Sequence, residues 1–298
     1  MSWKAIARST VGTSHIKQQM PCQDYDGCKI LNNVIIGAVA DGSGSAKYAD
    51  IGAKLAVETV LEYLAGIEEW LQKRKRFWES TQEPLSESEA IKFFTKTLNK
   101  VIAALSAQAI SKGYSIDELA CTLLVVIATP EWVAAMQIGD GFIVVRPEQE
   151  DHILLFEPDK GEYINETTFV TSANALDEMK VGVRSLKPEF ICASTDGLER
   201  VAIRMSDYTP FTPFFQPLEE YLQESSNPEQ SDEYLMSFLD SDRNGTKKSR
   251  NTCGLSSLQL LAPFMPRFCH QGVSFWAAFT NSCFTSSWAS RNSFMNDN

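Results

Sequence analysis

Apolar positions along this chain repeat with two different periods, and the period changes where one element gives way to another. Val34-Ile35-Ile36-Gly37-Ala38-Val39-Ala40 is an unbroken apolar run, rich in β-branched residues, that stops at Asp41-Gly42. Its length and composition predict a buried strand rather than a helix. After the tight loop Asp41-Gly42-Ser43-Gly44-Ser45 the spacing lengthens. Ile51, Leu55, Val60, Leu64, Ile67 and Leu71 recur at steps of three to five, the stripe of one helix face. The basic stretch Lys73-Arg74-Lys75-Arg76 suits the C-terminus of that helix. Ser86-Glu87-Ser88-Glu89 has the S-x-x-E form of a capping box. Ile91, Phe94, Leu98, Val101, Leu105 and Ala109 then carry a second helical stripe. Two consecutive amphipathic helices predict an antiparallel pair.

Short strands are expected at residues 3–8 and 27–31. Three more follow the second helix: Cys121 to Thr129, Trp132 to Ile138 and Phe142 to Val145, with turns at Pro130-Glu131 and Gly139-Asp140-Gly141. Connections this short predict antiparallel pairing, because a parallel crossover needs a dozen or more residues. His152 to Phe156 reads as a further strand, and Phe190 to Thr195 as another that ends on Asp196-Gly197. Helices are expected over 213–225 and 231–240. The fold class is α+β, a mostly antiparallel sheet system covered by helices.

Charge and cysteine content narrow the function classes. The 298 residues carry a formal charge of −11, which disfavours general binding to nucleic-acid phosphates. The charge is uneven: residues 243–298 hold six bases against one acid, Asp297, so the tail is +5 and residues 1–242 are −16. The seven cysteines form no C-x-x-C pair, which argues against a zinc ribbon and fits a reducing cytoplasm. No run of about 18 apolar residues predicts a membrane span. The first eight residues lack the apolar core of a secretory leader.

The recurring chemical feature is an apolar strand that ends on aspartate followed by glycine, at Asp41-Gly42 and at Asp196-Gly197. Gly139-Asp140-Gly141 is a related third case. A lone Asp-Gly after a strand is usually a hairpin turn, and Asp140 fits that reading. Asp41 and Asp196 open no obvious hairpin. Acids at strand ends can converge on the rim of a sheet, and glycine can offer its carbonyl there. Such a set makes a hard oxygen site for Mg²⁺ or Mn²⁺. Gly42-Ser43-Gly44 does not continue as a dinucleotide loop, because Lys47 stands where a small residue is needed. His15, His152 and His270 are far apart in sequence, so a Ser-His-Asp hydrolase has no local support.

Five segments occur in a telling order: Gly12-Thr13-Ser14-His15 through Pro21-Cys22-Gln23-Asp24; Val39-Ala40-Asp41-Gly42-Ser43-Gly44-Ser45; Cys121-Thr122-Leu123-Leu124; Ile138-Gly139-Asp140-Gly141; and Ser194-Thr195-Asp196-Gly197-Leu198. Together they resemble the metal-dependent protein phosphatase 2C family in its bacterial branch. The resemblance covers roughly residues 5–242. It implies a four-layer α-β-β-α sandwich, two antiparallel sheets flanked by antiparallel helix pairs. It also implies a cytoplasmic, monomeric protein serine/threonine phosphatase that acts on phosphoproteins, with no nucleic-acid or membrane partner. The cofactors implied are two Mn²⁺ or Mg²⁺ ions, with a bridging water attacking phosphoserine or phosphothreonine. On the same basis Asp41 bridges the metals, Gly42 offers its carbonyl to one, Asp196 ligates the second, and Asp24 supports the metal–water network.

The sequence also departs from the family pattern. Gln23 stands where the family usually has Glu, Gln19 where it often has a phosphate-binding Arg, and Ser43 where well-studied members have His. The closing acidic segment expected after Asp242 is missing, and Leu258 to Leu261 is soon followed by Pro263 and Pro266. Residues 1–242 therefore read as the phosphatase-like domain. Residues 243–298 read as an atypical tail, either accessory or out of frame, that is poorly packed and does not complete the central sheet. These departures leave an alternative open, a non-catalytic phosphatase-like module that binds a regulatory partner or phosphoprotein.

Overall fold

The apolar runs become the strands of two antiparallel sheets stacked face to face. The computed structural model of the protein describes residues 2–10, 21–67, 71, 83–156, 167–224 and 256–264, all within one unit that closes at Phe264. In chain order the strands are β1 (Ser2–Thr10), β2 (Tyr25–Leu31) and β3 (Val34–Ala40), then β4 (Leu123–Ala128), β5 (Trp132–Ile138), β6 (Phe142–Pro147) and β7 (Ile153–Leu154). They continue with β8 (Lys180–Ser185), β9 (Pro188–Ser194), the short β10 (Ile203–Arg204) and β11 (Thr209–Pro210), and β12 (Ser256–Phe264). The helices are α1 (Ala49–Tyr63), α2 (Glu87–Lys112), the single turn α3 (Glu199–Ala202) and α4 (Thr212–Glu224). One sheet has the order β1-β12-β9-β6-β7 and the other β2-β3-β4-β5-β8, while β10 and β11 form a separate hairpin.

Strand alternation sorts the apolar side chains into three layers. Ile35, Val39, Leu124, Val126, Ile143, Val145, Ile191 and Ala193 meet between the sheets. The intervening Val34, Ile36, Ala38 and Val125 face the other way, onto Ala53, Val57, Phe94, Leu98 and Val101 of α1 and α2. On the far side, Val144, Phe190 and Cys192 pack against Phe214, Phe215, Leu218 and Leu222 of α4. The order of layers is thus helix pair, sheet, sheet, helix. The helix expected at 231–240 lies outside the described residues.

The capping box forms as its sequence predicts. Ser86 Oγ accepts from Glu89 N at 3.4 Å, and Ser86 N donates to Glu89 Oε2 at 2.9 Å. Gly113, at φ 71°, closes α2 in the left-handed conformation. α1 ends at Tyr63, followed by a tight turn at Leu64–Gly66, with Ile67 and Leu71 still in the same core. No described helix is long and apolar enough to cross a membrane.

Three expectations need correction. β5 and β6 do not pair: the chain switches sheets at Gly139–Gly141. Gly139 has φ 95°, and a Cβ at Gly141 would lie 2.6 Å from Ser194 O. The turn is therefore a sandwich corner, where strands change sheets, and not a hairpin. Second, β8 is a strand where the apolar pattern predicts none. It is an edge strand with half-exposed, charged positions, which carries little apolar signal. Third, the tail does enter the central sheet. β12 lies between β1 and β9, pairing with β1 from Ser256 to Phe264 but with β9 only from Leu258 to Leu261. Pro263 falls beyond the doubly paired stretch, opposite Trp3 alone, where a proline is tolerated as it is on an edge. The remaining tail residues lie outside the described residues.

Candidate metal centre

The acid-bearing loops leave the same end of the sandwich. β3 ends on Ala40, which pairs with Tyr25 at the start of β2. One step further out, the ladder brings Asp41 beside Asp24. The loop is locked by its backbone. Thr122 N donates to Asp41 O at 2.8 Å, and Asp41 N donates to Thr122 Oγ1 at 3.0 Å. Gly42 N donates to Gln23 O at 3.1 Å and Ser43 N to Ala120 O at 2.9 Å. A Cβ on Gly42 would sit 2.8 Å from Ala49 Cβ, Ala49 O and Gln23 O. Only glycine lets the loop pass between β2 and the start of α1.

The other sheet supplies the second half. β9 ends on Ser194, and the next residue, Thr195, donates from Oγ1 to Asp24 Oδ2 at 3.1 Å. That bond ties the two sheets together at the acids. Asp196 follows. Asp140 sits at the sandwich corner, where its Oδ2 accepts from Thr167 Oγ1 at 2.8 Å.

Electrostatics show that these acids share one environment. Asp24 is buried, and its carboxyl is held well above the ordinary range. Burial is the main cause, with the charge of Asp41, a hydrogen bond shared with Asp41, and the charge of Asp196 adding to it, while the Thr195 bond opposes. Its Oδ1 meets no fixed hydrogen donor. Asp196 is exposed at the rim, yet neighbouring protein withdraws enough water to push its carboxyl up to about 7, helped by the charges of Asp140, Asp41 and Glu199. Burial and nearby aspartates likewise push the Cys22 thiol up to about 11 and the Cys121 thiol up to about 12, so neither is an activated nucleophile. Glu199 is raised by burial and by Asp140.

Like-charged carboxyls drawn together in this way call for a cation. Every donor is a hard oxygen, and two of them, Asp24 Oδ1 and Gln23 Oε1, are buried without a partner. No group of three or more His, Cys, Asp or Glu among the described residues forms a ready-made cage. The oxygen donors themselves are of the kind that Mg²⁺ or Mn²⁺ takes. Asp41 and Asp196 could hold such ions, with Asp24 behind them.

Of the residues expected from sequence, Asp41 stands beside Asp24 at the end of the ladder, Gly42 follows in the same loop, and Asp196 lies near enough for its charge to act on Asp24 and to feel Asp41. Ser43, in place of the family histidine, bonds Ser45 Oγ at 2.9 Å. His15 and Gln19 lie outside the described residues. His152 is on the far side of the first sheet, with Nε2 2.8 Å from Glu219 Oε1. Thr122 and Thr195 were given no role from sequence. Both stand inside segments that carry the family resemblance, and each is a polar residue beside an apolar strand end.

Comparison with known proteins bears on the family and the fold. A family model described as protein phosphatase 2C matches residues 11–240. Serine/threonine-protein phosphatase 3 of Escherichia coli (strain K12) is 34% identical over 249 residues, covering 81% of this chain and 92% of that protein. The serine/threonine phosphatase Stp1 from Staphylococcus aureus superposes with a TM-score of 0.56 at 13% identity, over 89% of this chain and 96% of that one. The catalytic domain of the serine threonine protein phosphatase PstP, in complex with two manganese ions, gives 0.54 at 15% identity, over 89% and 99%. At these identities the structural likeness speaks to the fold alone.

Proposed function

Since the chain belongs to the protein phosphatase 2C family, we propose that it hydrolyses phosphoserine and phosphothreonine esters in proteins by metal-assisted attack of water. The observation that supports this reading is that Asp24 and Asp41 adjoin on one sheet while Thr195 and Asp196 at the end of a strand of the other reach them, Thr195 by a hydrogen bond to Asp24 and Asp196 by its charge. No demand of the fold requires acids at these strand ends.

Two divalent ions, manganese or magnesium, supply when bound a water of lowered pKa and positive charge against the phosphate oxygens. This chain's residues set the stage for them. Asp41 is the residue proposed to lie between the ions, with its backbone fixed on both sides by Thr122. Asp196 and the Gly42 carbonyl are proposed to hold one ion each. Asp24 is held at Oδ2 by Thr195, and its buried Oδ1, which has no protein partner, would accept a hydrogen bond from bound water. The substrate is a phosphoprotein, and the protein acts as a cytoplasmic monomer.

Hydrolysis of p-nitrophenyl phosphate with and without Mn²⁺ tests the proposal. Even outer partners of a metal site typically cost ~10–100-fold when removed, so Asp41→Asn should cost about 100-fold or more. Circular dichroism should be unchanged. A variant as active as the parent would refute the assignment. A parent inert with Mn²⁺ would favour the non-catalytic reading, to which Ser43 in place of histidine also points.

A further inference from the structure

We infer that Thr195 is a positioning residue for the metal site, acting through the carboxylate of Asp24, an inference that rests on the phosphatase reading. The end of β9 places it for that role. Ser194, the last residue of the strand, pairs with both Phe142 of β6 and Leu258 of β12. The backbone that carries Thr195 therefore leaves a strand held on both sides. Ser194 Oγ also donates to Thr195 O at 2.9 Å. With φ −66° and ψ 170°, Thr195 is still extended, and the helical turn Asp196–Leu198 begins directly after it.

The Thr195 hydroxyl does not do what that position normally asks. Before a helical turn, a threonine oxygen ordinarily accepts from a backbone N–H of the turn, which contributes about 1 kcal/mol. Here no side-chain capping bond forms. The hydroxyl instead donates to Asp24 Oδ2 at 3.1 Å, a partner 171 residues away in the chain. Both residues are buried, Thr195 being 1% and Asp24 4% exposed. A local preference set aside in this way is expected at functional sites.

The chemistry of Asp24 gives the bond its use. Asp24 Oδ1 is buried without a protein partner. A hydrogen bond at Oδ2 fixes the plane of the carboxyl group, and with it the direction in which Oδ1 offers its lone pairs. The two heavy atoms on the threonine Cβ leave χ1 few states, so holding the hydroxyl in that direction costs little entropy. Partners that orient a metal site from behind in this way typically change metal affinity ~10–100-fold when removed.

Isothermal titration calorimetry of Mn²⁺ into the full chain, stripped of metal, tests this. Thr195→Val keeps the shape and removes the hydroxyl, while Thr195→Ser keeps the hydroxyl and removes a methyl. Thr195→Val should weaken Mn²⁺ binding about 10-fold, and Thr195→Ser should stay within about threefold of the parent. A packing role would reverse that order. In an Asp24→Ala background, Thr195→Val should change the affinity by less than about twofold, because the group it acts through is gone. Melting in chelator reports what the bond gives the fold, and Thr195→Ala replaces Thr195→Val if the latter does not melt cooperatively. A Thr195→Val protein that melts lower but binds Mn²⁺ as the parent does would show that the bond only ties the sheets together, which overturns the inference. Equal losses in the Val and Ser variants overturn it too. Mn²⁺ binding in the expected order, by a chain that hydrolyses no p-nitrophenyl phosphate, keeps the role of Thr195 and refutes the phosphatase reading instead.

Discussion

Replacing Asp196 by Asn should stabilise the metal-free protein above neutral pH and weaken its response to metal. The Asp196 carboxyl rises from the ordinary 3.8 to about 7 in the folded chain, by partial burial and by Asp140, Asp41 and Glu199. A raised carboxyl pKa means that the folded state holds the proton more tightly than the unfolded one. Below pH ~3.8 both states are protonated and ionisation costs the fold nothing. Above pH ~7 the charge sits among other acids only in the folded state, and the full penalty applies. For a dry carboxyl that penalty would be about 4 kcal/mol. Asp196 is exposed, and solvent screening reduces it to on the order of 1 kcal/mol. In a chelator at pH 8, Asp196→Asn should therefore raise Tm by roughly 2–4 °C. At pH 4 the two proteins should melt together. On the proposed assignment, saturating Mn²⁺ should reverse the ranking at pH 8, because metal would stabilise the folded parent by mass action and the variant would lack the Asp196 donor. Differential scanning fluorimetry at both pH values, with and without Mn²⁺, gives all the comparisons. A variant no more stable than the parent at pH 8 in chelator would refute the shared-field account of these acids.

Three further outcomes test the scaffold. Gly52→Ala puts a Cβ 2.1 Å from Leu119 O and 2.7 Å from Leu119 C. Alanine normally gains ~1 kcal/mol over glycine inside a helix, but here chemical denaturation should show a loss of about 1–3 kcal/mol. Glu219→Gln removes one of the two carboxylates on Arg146, which is bonded twice to Glu219 at 2.9 Å and also to Glu189, and changes the group facing Nε2 of the buried His152. It should cost about 1–2 kcal/mol, visible as a Tm lower by roughly 2–8 °C. A chain that stops at residue 255 loses β12, the strand that joins β1 to β9. It should fail to give a soluble product with a cooperative melt, and a well-folded truncate would disprove the role of that strand.

The sequence by itself determined what depends on local periodicity and local chemistry. Apolar runs such as 34–40 and 132–138 are long enough to be strands whatever surrounds them. The stripe from Ile91 to Ala109, fenced by Ser86 and Gly113, is a helix by its own spacing and caps. Asp41-Gly42 and Asp196-Gly197 were visible because each interrupts an apolar strand with an acid. The tertiary structure alone decided which strand neighbours which. A corner at Gly139–Gly141 and a hairpin turn have the same short sequence, and only packing against Thr122 and Ser194 distinguishes them. β12 is legible as a strand only once β1 and β9 hold a place for it, since Pro263 within it and Pro266 just after it argue against it in isolation. The roles of Thr122 and Thr195 also belong to the folded state. Each acts on a residue from a different part of the chain, Thr122 on Asp41 across 81 residues and Thr195 on Asp24 across 171. Charge repulsion among the acids is of the same kind, because it depends on distances that exist only after the two sheets have closed on each other.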